Sequence, residues 1–185
     1  MNRGRSVPYI AGAAGAVLIA FLVVLAMAKS GDSESASSPL LGKPAPAVKS
    51  TTLDGGTFDL SHRKGSWVVL NFFNSTCVPC RQEHPLLVDF VKEQQASDNA
   101  VELYTIVNDD SDGAVTAFFE TNGGKWPVVR DDDGAISVAF GVAKVPESWV
   151  IDPNGFVRLR IMGALTKGFL TARLDELKTQ FAGGQ

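Results

Sequence analysis

Cysteine is almost absent from this chain of 185 residues, which contains only Cys77 and Cys80. That excludes a disulfide-dense scaffold. Histidine is as scarce: His62 and His84 are the two in the chain. There is no second Cys-x-x-Cys, so a closed four-ligand zinc site lacks ligands. Positive charge is also in deficit. The 17 Lys and Arg face 20 Asp and Glu, for a formal net charge of −3. Arg3, Arg5 and Lys29 all precede the first acid, so the remainder is more acidic still. An acidic domain gains nothing from phosphate neutralisation, which argues against nucleic acid as a partner. Internal repeats are absent too. What is present is a globular composition, 45% hydrophobic and 20% charged, long enough for one ordinary domain and an extra segment.

The extra segment is N-terminal. Ile10 to Ala28, IAGAAGAVLIAFLVVLAMA, is an uncharged run of roughly 20 residues that at about 1.5 Å per residue nearly spans a hydrocarbon core of about 30 Å. Arg3 and Arg5 precede it and Asp32 and Glu34 follow it, so the positive-inside rule puts the acidic domain outside the cell membrane. Ala26-Met27-Ala28 resembles a signal-peptide cleavage site, but the run exceeds the usual h-region of about 7–15 residues. A retained single-pass anchor is the favoured reading. No cysteine follows the run, which excludes a lipid-anchored N-terminus. The expected organisation is residues 1–29 as cytoplasmic N-terminus and transmembrane helix, 30–39 as a flexible small-polar linker, and 40–185 as the folded domain. Outside the cytoplasm, disulfide chemistry has substrates.

Within the domain, Trp67–Phe73 reads as a central strand covered on both faces. Val48–Leu53 and Thr57–Leu60 flank Asp54-Gly55-Gly56, a hairpin signal. A helical pattern runs from Cys80 to about Gln95. Val101–Val107 is a second central strand, Val115–Glu120 a helix, Pro127–Arg130 a short strand and Ile136–Phe140 a helical turn. Ser148–Ile151 and Phe156–Ile161 flank Asp152-Pro153-Asn154-Gly155, a second hairpin. Leu170, Leu174, Leu177 and Phe181 mark a last amphipathic helix. The order predicts an α/β sheet with helices on both faces.

The cysteines stand in NFFNSTCVPCRQEHP, where a buried strand passes into a helix, and the carboxyl ends of such strands are where sites form. Pro79 suits the first helical turn. Cys77 then meets the free N–H groups and positive end of the helix, which favour a thiolate. Cys80 is placed to resolve a mixed disulfide on Cys77. Two other readings stand beside this one. A staple across so short a ring is worth only about 2 kcal/mol. A metal clamp has the two thiols and His84, short of four ligands.

The segment resembles the active site of the thioredoxin superfamily, in particular its membrane-anchored TlpA/ResA/DsbE branch. The resemblance runs from about Leu41 to Phe181 and rests on LGKPAPAV, LNFF, CVPCRQEHP, GVAKVPESWVID and the Asp-Pro-Asn-Gly turn. It implies a thioredoxin-like fold, a central mixed β-sheet flanked by helices. It implies Cys77 as attacking thiol and Cys80 as resolving thiol, and Pro85 as the proline that kinks the helix. Val145–Pro146 becomes a cis peptide facing the cysteines, with the Val145 backbone docking an extended substrate. Glu83 becomes an acid/base for the exchange, although an acid there also suits a helix N-terminus. Asn71 stands where thioredoxin has a buried aspartate and cannot carry a proton. Thr76 departs from the tryptophan common before the first cysteine. Pro146-Glu147 is similar to the DsbE side, where Glu147 either biases partner choice or is a solvated charge.

The implied function is a dithiol–disulfide oxidoreductase without metal or bound cofactor. Its implied client is a protein disulfide such as that of apocytochrome c during cytochrome c maturation, and its electrons come from a membrane thiol-transfer donor. One rival is a general reductase or isomerase for secreted proteins. Another is a copper metallochaperone, which needs a histidine on a loop distant in sequence from the cysteines, and residues 85–185 contain none. A peroxidase would need Pro-x-x-x-Thr-x-x-Cys, which is missing.

Overall fold

The computed structural model of the chain describes residues 15, 17–21, 23, 34–96 and 100–183. The chain divides into two compact units, Met1–Gly31 and Asp32–Gln185. In the first, residues 15, 17–21 and 23 are helical. The rest of the run read as a membrane anchor lies outside the described residues. Among the described residues no helix is long and apolar enough to cross a membrane.

The second unit is an α/β fold. Its strands are β1 (Glu34–Ser35), β2 (Lys49–Thr51), β3 (Thr57–Asp59), β4 (Val68–Phe73), β5 (Glu102–Val107), β6 (Val128–Arg130), β7 (Glu147–Ile151) and β8 (Val157–Met162). The helices are α1 (Val78–Gln95), α2 (Asp112–Asn122), α3 (Ala135–Phe140) and α4 (Phe169–Gly183). The main sheet has the order β1-β8-β7-β4-β5-β6. Strands β4, β5 and β6 are parallel, while β7, β8 and β1 alternate in direction, so the sheet is mixed.

Strand β4 is central because all six of its residues are buried. Val68, Leu70 and Phe72 pack on one face with Phe140, Trp149 and Ile151. Val69 packs on the other with Leu87 and Phe90 of α1. Burying each such side chain contributes about 1.5–3 kcal/mol, enough to fix the register of a strand. Asn71 breaks the apolar run and faces the α1 side, where its amide is held by hydrogen bonds described below.

Both predicted hairpins form. Asp54-Gly55-Gly56 turns with Gly55 at φ 85°, a conformation that suits glycine. Its strands make a separate two-stranded sheet rather than joining the main one. The hairpin still covers the free edge of β6, since the Leu53 N–H donates to the Val128 carbonyl at 2.9 Å. In the β7–β8 turn, the Asp152 carboxylate accepts from the Asn154 and Phe156 N–H groups, each at 2.9 Å. Helix α2 starts at Asp112, earlier than the apolar pattern suggested, because Ser111 caps it by accepting from the Ala114 N–H at 3.2 Å.

Within residues 30–39, read as a flexible linker, residues 34–36 are tied to the main sheet. Glu34 and Ser35 pair with Met162 and Ile161 of β8. The Ala36 N–H donates to the Arg160 carbonyl at 3.0 Å. Small polar residues gave no strand signal because this pairing uses backbone groups alone.

Candidate active site

Strand β4 ends at Phe73, and Asn74-Ser75-Thr76 carries the chain to the cysteines. Two turn contacts fix this passage. The Asn74 amide donates to the Asp109 carbonyl at 2.8 Å, and the Ser75 N–H donates to the Asp110 carboxylate at 2.6 Å. The loop after β4 is therefore held against the loop after β5.

Cys77 is the N-cap of α1. Its Sγ accepts from the Cys80 N–H at 3.2 Å, the role a serine or aspartate oxygen usually fills. Pro79 sits in the first turn. The two sulfurs are joined in a disulfide, with Cα atoms 5.3 Å apart. The pair is asymmetric. Cys77 is partly exposed and Cys80 is fully buried, at 0%. Pro85 lies inside α1, where its missing N–H leaves the Arg81 carbonyl without its helical donor.

The Val145–Pro146 peptide is cis, the configuration the resemblance implied. The Val145 carbonyl oxygen lies 3.7 Å from Cys77 Sγ. The Pro146 carbonyl accepts from the N–H of Gly163, the residue after β8, at 3.0 Å. A groove of about 390 Å³ opens beside Cys77, with Asn74, Asp109, Lys144 and Val145 among its walls.

Glu83 is not an exposed acid at the helix start: it is 1% exposed. One carboxylate oxygen accepts from the Asn71 amide at 2.8 Å and the other from the Leu165 N–H at 2.8 Å. Burial pushes its pKa up to about 7, against the opposing pull of those two donors. A carboxyl poised near neutrality is suited to give or take a proton. Asn71 thus has a task that sequence reasoning missed: it carries no proton itself but orients the group that can. Its amide also donates to Ser148 Oγ at 3.1 Å, while its own oxygen is buried without a partner.

Glu147 is not a solvated charge. It is 1% exposed, and Arg160 grips both its oxygens, at 2.9 and 3.0 Å. The Trp149 indole donates to it at 2.8 Å. Arg160 also reaches the Ser37 carbonyl at 3.3 Å and lies over the Trp149 ring. A carboxylate so enclosed does not meet a client directly. Arg81 is turned to the Phe118 ring, 5.7 Å from its centroid.

His84 is buried among Phe73, Phe118, Phe119 and Trp126. Its Nε2 is 2.8 Å from the Gly123 carbonyl. Burial holds its pKa below the ordinary value. The ring therefore ties α1 to the end of α2 and is not aimed at the sulfurs. Among the described residues no group of three His, Cys, Asp or Glu side chains is arranged to hold a metal ion.

A mixed sheet whose central strand delivers a helix-capping Cys-x-x-Cys disulfide to a cis-proline loop defines a thioredoxin-like thiol–disulfide oxidoreductase. The chain belongs to the AhpC/TSA family, whose model matches residues 41–160. It is similar to the thiol-disulfide oxidoreductase ResA of Bacillus thuringiensis (strain Al Hakam), 34% identical over 137 residues, 74% of this chain and 78% of the relative. It is also similar to the thiol:disulfide interchange protein HelX of Rhodobacter capsulatus, 31% identical over 149 residues, 79% of this chain and 81% of the relative. Among solved structures, a thioredoxin-family thiol:disulfide interchange protein of Chlorobium tepidum superposes with a TM-score of 0.61 at 28% identity, covering 72% of this chain and 92% of its own.

Proposed function

We propose that this oxidoreductase works as a reductant of protein disulfides outside the cytoplasm, tethered to the cell membrane by its N-terminal segment. The observation that carries the chemistry is the asymmetry of the pair: an accessible Cys77 beside the Val145 carbonyl and a fully buried Cys80 one helical turn inside. In the reduced protein, the Cys77 thiolate attacks one sulfur of a client disulfide. The client S–S bond breaks, a mixed disulfide forms and one client thiolate leaves. The Cys80 thiol then loses its proton to Glu83 and attacks Cys77 Sγ. The second client thiolate leaves and takes up a proton, and the protein ends as the disulfide. Two electrons pass to the client, and a membrane thiol-transfer donor restores them.

Val145 and Pro146 dock the client in this scheme. Val145 offers its backbone to an extended segment, as a short strand addition. Three features favour reduction over oxidation. Val78 and Pro79 offer no side-chain donor to the Cys77 sulfur, Arg81 is turned to Phe118, and an ionised Glu83 disfavours a second nearby negative charge.

The client class is a protein disulfide, with apocytochrome c during cytochrome c maturation as the proposed member. Its support is the likeness to the ResA and DsbE branch. Mixed-disulfide trapping with a Cys80→Ser variant of the full chain tests this. Recovery of a Cys-x-x-Cys-His protein on Cys77 is the expected result. Recovery of many unrelated secreted proteins transfers the role to a general reductase. A Cys80→Ser chain that traps nothing overturns the reductant reading.

A further inference from the structure

Asp109 has a backbone that few residues other than glycine adopt. Its φ is 53°, and it is the one non-glycine residue with positive φ among the described residues. Left-handed backbone is uncommon for side-chain-bearing residues, though Asp and Asn tolerate it best. The conformation is held from the site itself, because the Asn74 amide, three residues before Cys77, donates to the Asp109 carbonyl at 2.8 Å.

The neighbouring acids are occupied. The Asp110 carboxylate accepts from the Ser75 and Ser111 N–H groups. Asp112 pairs with Arg130 at 2.6 Å. Asp131 is buried and accepts from the Ile136 and Ser137 N–H groups. Among the described residues the exposed Asp109 carboxylate has no hydrogen-bond or ion-pair partner. It lines the same groove as Cys77 and Val145. Lys144 lines that groove as well, next in sequence to Val145. The groove thus carries one acid and one base on different loops, and an extended chain lying in it meets a signed surface.

We propose that Asp109 is a specificity residue that selects client disulfides carrying a cationic side chain next to the reactive cysteine. The inference rests on the reading of Cys77 and Val145 as the client-docking site, and adds the chemistry of the client. Asp109 attracts a lysine, arginine or protonated histidine beside the client cysteine, and Lys144 repels the same charge. A cation on one flank of the cysteine is favoured over a cation on the other, so the groove also sets the direction in which the client lies.

The test uses the reduced full chain and synthetic peptides. Each peptide has one cysteine in disulfide with 2-mercaptoethanol and a single Lys or Ala immediately before or after the cysteine. The readout is the ratio of the reduction rate constants for the Lys and Ala peptides. In the wild-type protein the better Lys position is expected to give a ratio of about two to five at low ionic strength, the range of an exposed ion pair. The ratio falls toward one in 1 M salt, where the screening length is about 3 Å. Asp109→Asn keeps a residue that tolerates the left-handed backbone and removes the charge, so its ratio is expected near one. Asp109→Gly fits the same backbone and gives the same loss. A wild-type ratio of one at both positions, or a ratio that survives both substitutions, overturns the proposal while leaving the reductase reading intact. A protein that reduces none of the peptides takes both down.

Discussion

Two glutamates lie on opposite faces of the main sheet, at the end that carries the disulfide, and both are 1% exposed. Glu147 faces the side of Phe72, Trp149 and Phe140, and Arg160 neutralises it. Glu83 projects from α1 onto the other face, and among the described residues it is held by neutral donors alone, the Asn71 amide and the Leu165 N–H. Burial is the same, but the partners differ. A buried carboxylate gripped by a bidentate guanidinium is a structural pair, because removing either partner strands the other. A buried carboxylate without a cation changes its protonation state near neutral pH, and its burial drives that shift. One face of the site carries an ion pair beside the loop of Pro146, and the other a carboxyl whose pKa lies near neutrality.

The largest effect is expected from breaking the ion-paired face. Arg160→Met leaves Glu147 buried and unpaired, which costs about 3–5 kcal/mol. Denaturant unfolding measures this, and the double variant with Glu147→Gln is expected to recover most of the loss. If Arg160→Met unfolds at the wild-type midpoint, the pair does not stabilise the fold.

The next effect concerns pH. Glu83 has a folded pKa of about 7 against an ordinary value of 4.5. Between those values the native protein binds more protons than the unfolded chain, so stability is fully present below about pH 4.5 and is lost as pH rises through 7. At 1.36 kcal/mol per pKa unit the loss is on the order of 3 kcal/mol. Glu83→Gln is expected to flatten that slope and to slow exchange with a protein disulfide by about tenfold or more. Unfolding curves at several pH values and stopped-flow exchange check the two parts. A flat slope with unchanged exchange would make Glu83 a structural group only.

A smaller effect sharpens the comparison. Asn71→Ala removes one of the two donors that pull the Glu83 pKa down, so the titration moves further up, followed by carbon NMR of the Glu83 carboxyl. If the midpoint stays or falls, Asn71 does not tune this group. The smallest expected effect is on the sheet edge. Removing the pairing of Glu34 and Ser35 by a proline at Ser35 is expected to cost less than about 1 kcal/mol, since β1 adds few backbone contacts and buries little. A loss several times larger would make the N-terminal strand part of the ion-paired face.

Much of this architecture was legible in the chain. Trp67–Phe73 is apolar enough to be read as a strand buried on both sides, and Asp-Gly-Gly and Asp-Pro-Asn-Gly mark their turns by conformational need. Cys77 and Cys80 were legible as a helix-capping pair because Pro79 cannot sit deeper in a helix. What escaped are contacts between residues far apart in sequence. The Glu147–Arg160 pair spans a hairpin whose register shifts between Val150 and Ile151, so pairing could not be counted along the strands. The resemblance names Glu83 as an acid/base, but its burial and its partners were not legible, since Asn71 and Leu165 lie 12 residues before and 82 residues after it. Asp109 gave no signal, since nothing local in Asn-Asp-Asp-Ser demands a left-handed residue; the bond from Asn74 does.

The most direct test is the reduction potential, measured by equilibrating the protein with glutathione at neutral pH. A Glu83 that titrates near neutrality and, among the described residues, no cation bonded to Cys77 Sγ are expected to favour the disulfide over the thiolate. The expected value lies nearer to about −270 mV, that of thioredoxin, than to about −120 mV, that of a strong oxidant. A value above about −180 mV, that of protein disulfide isomerase, would contradict the reductant assignment and make the Cys77–Cys80 disulfide an oxidant of its clients.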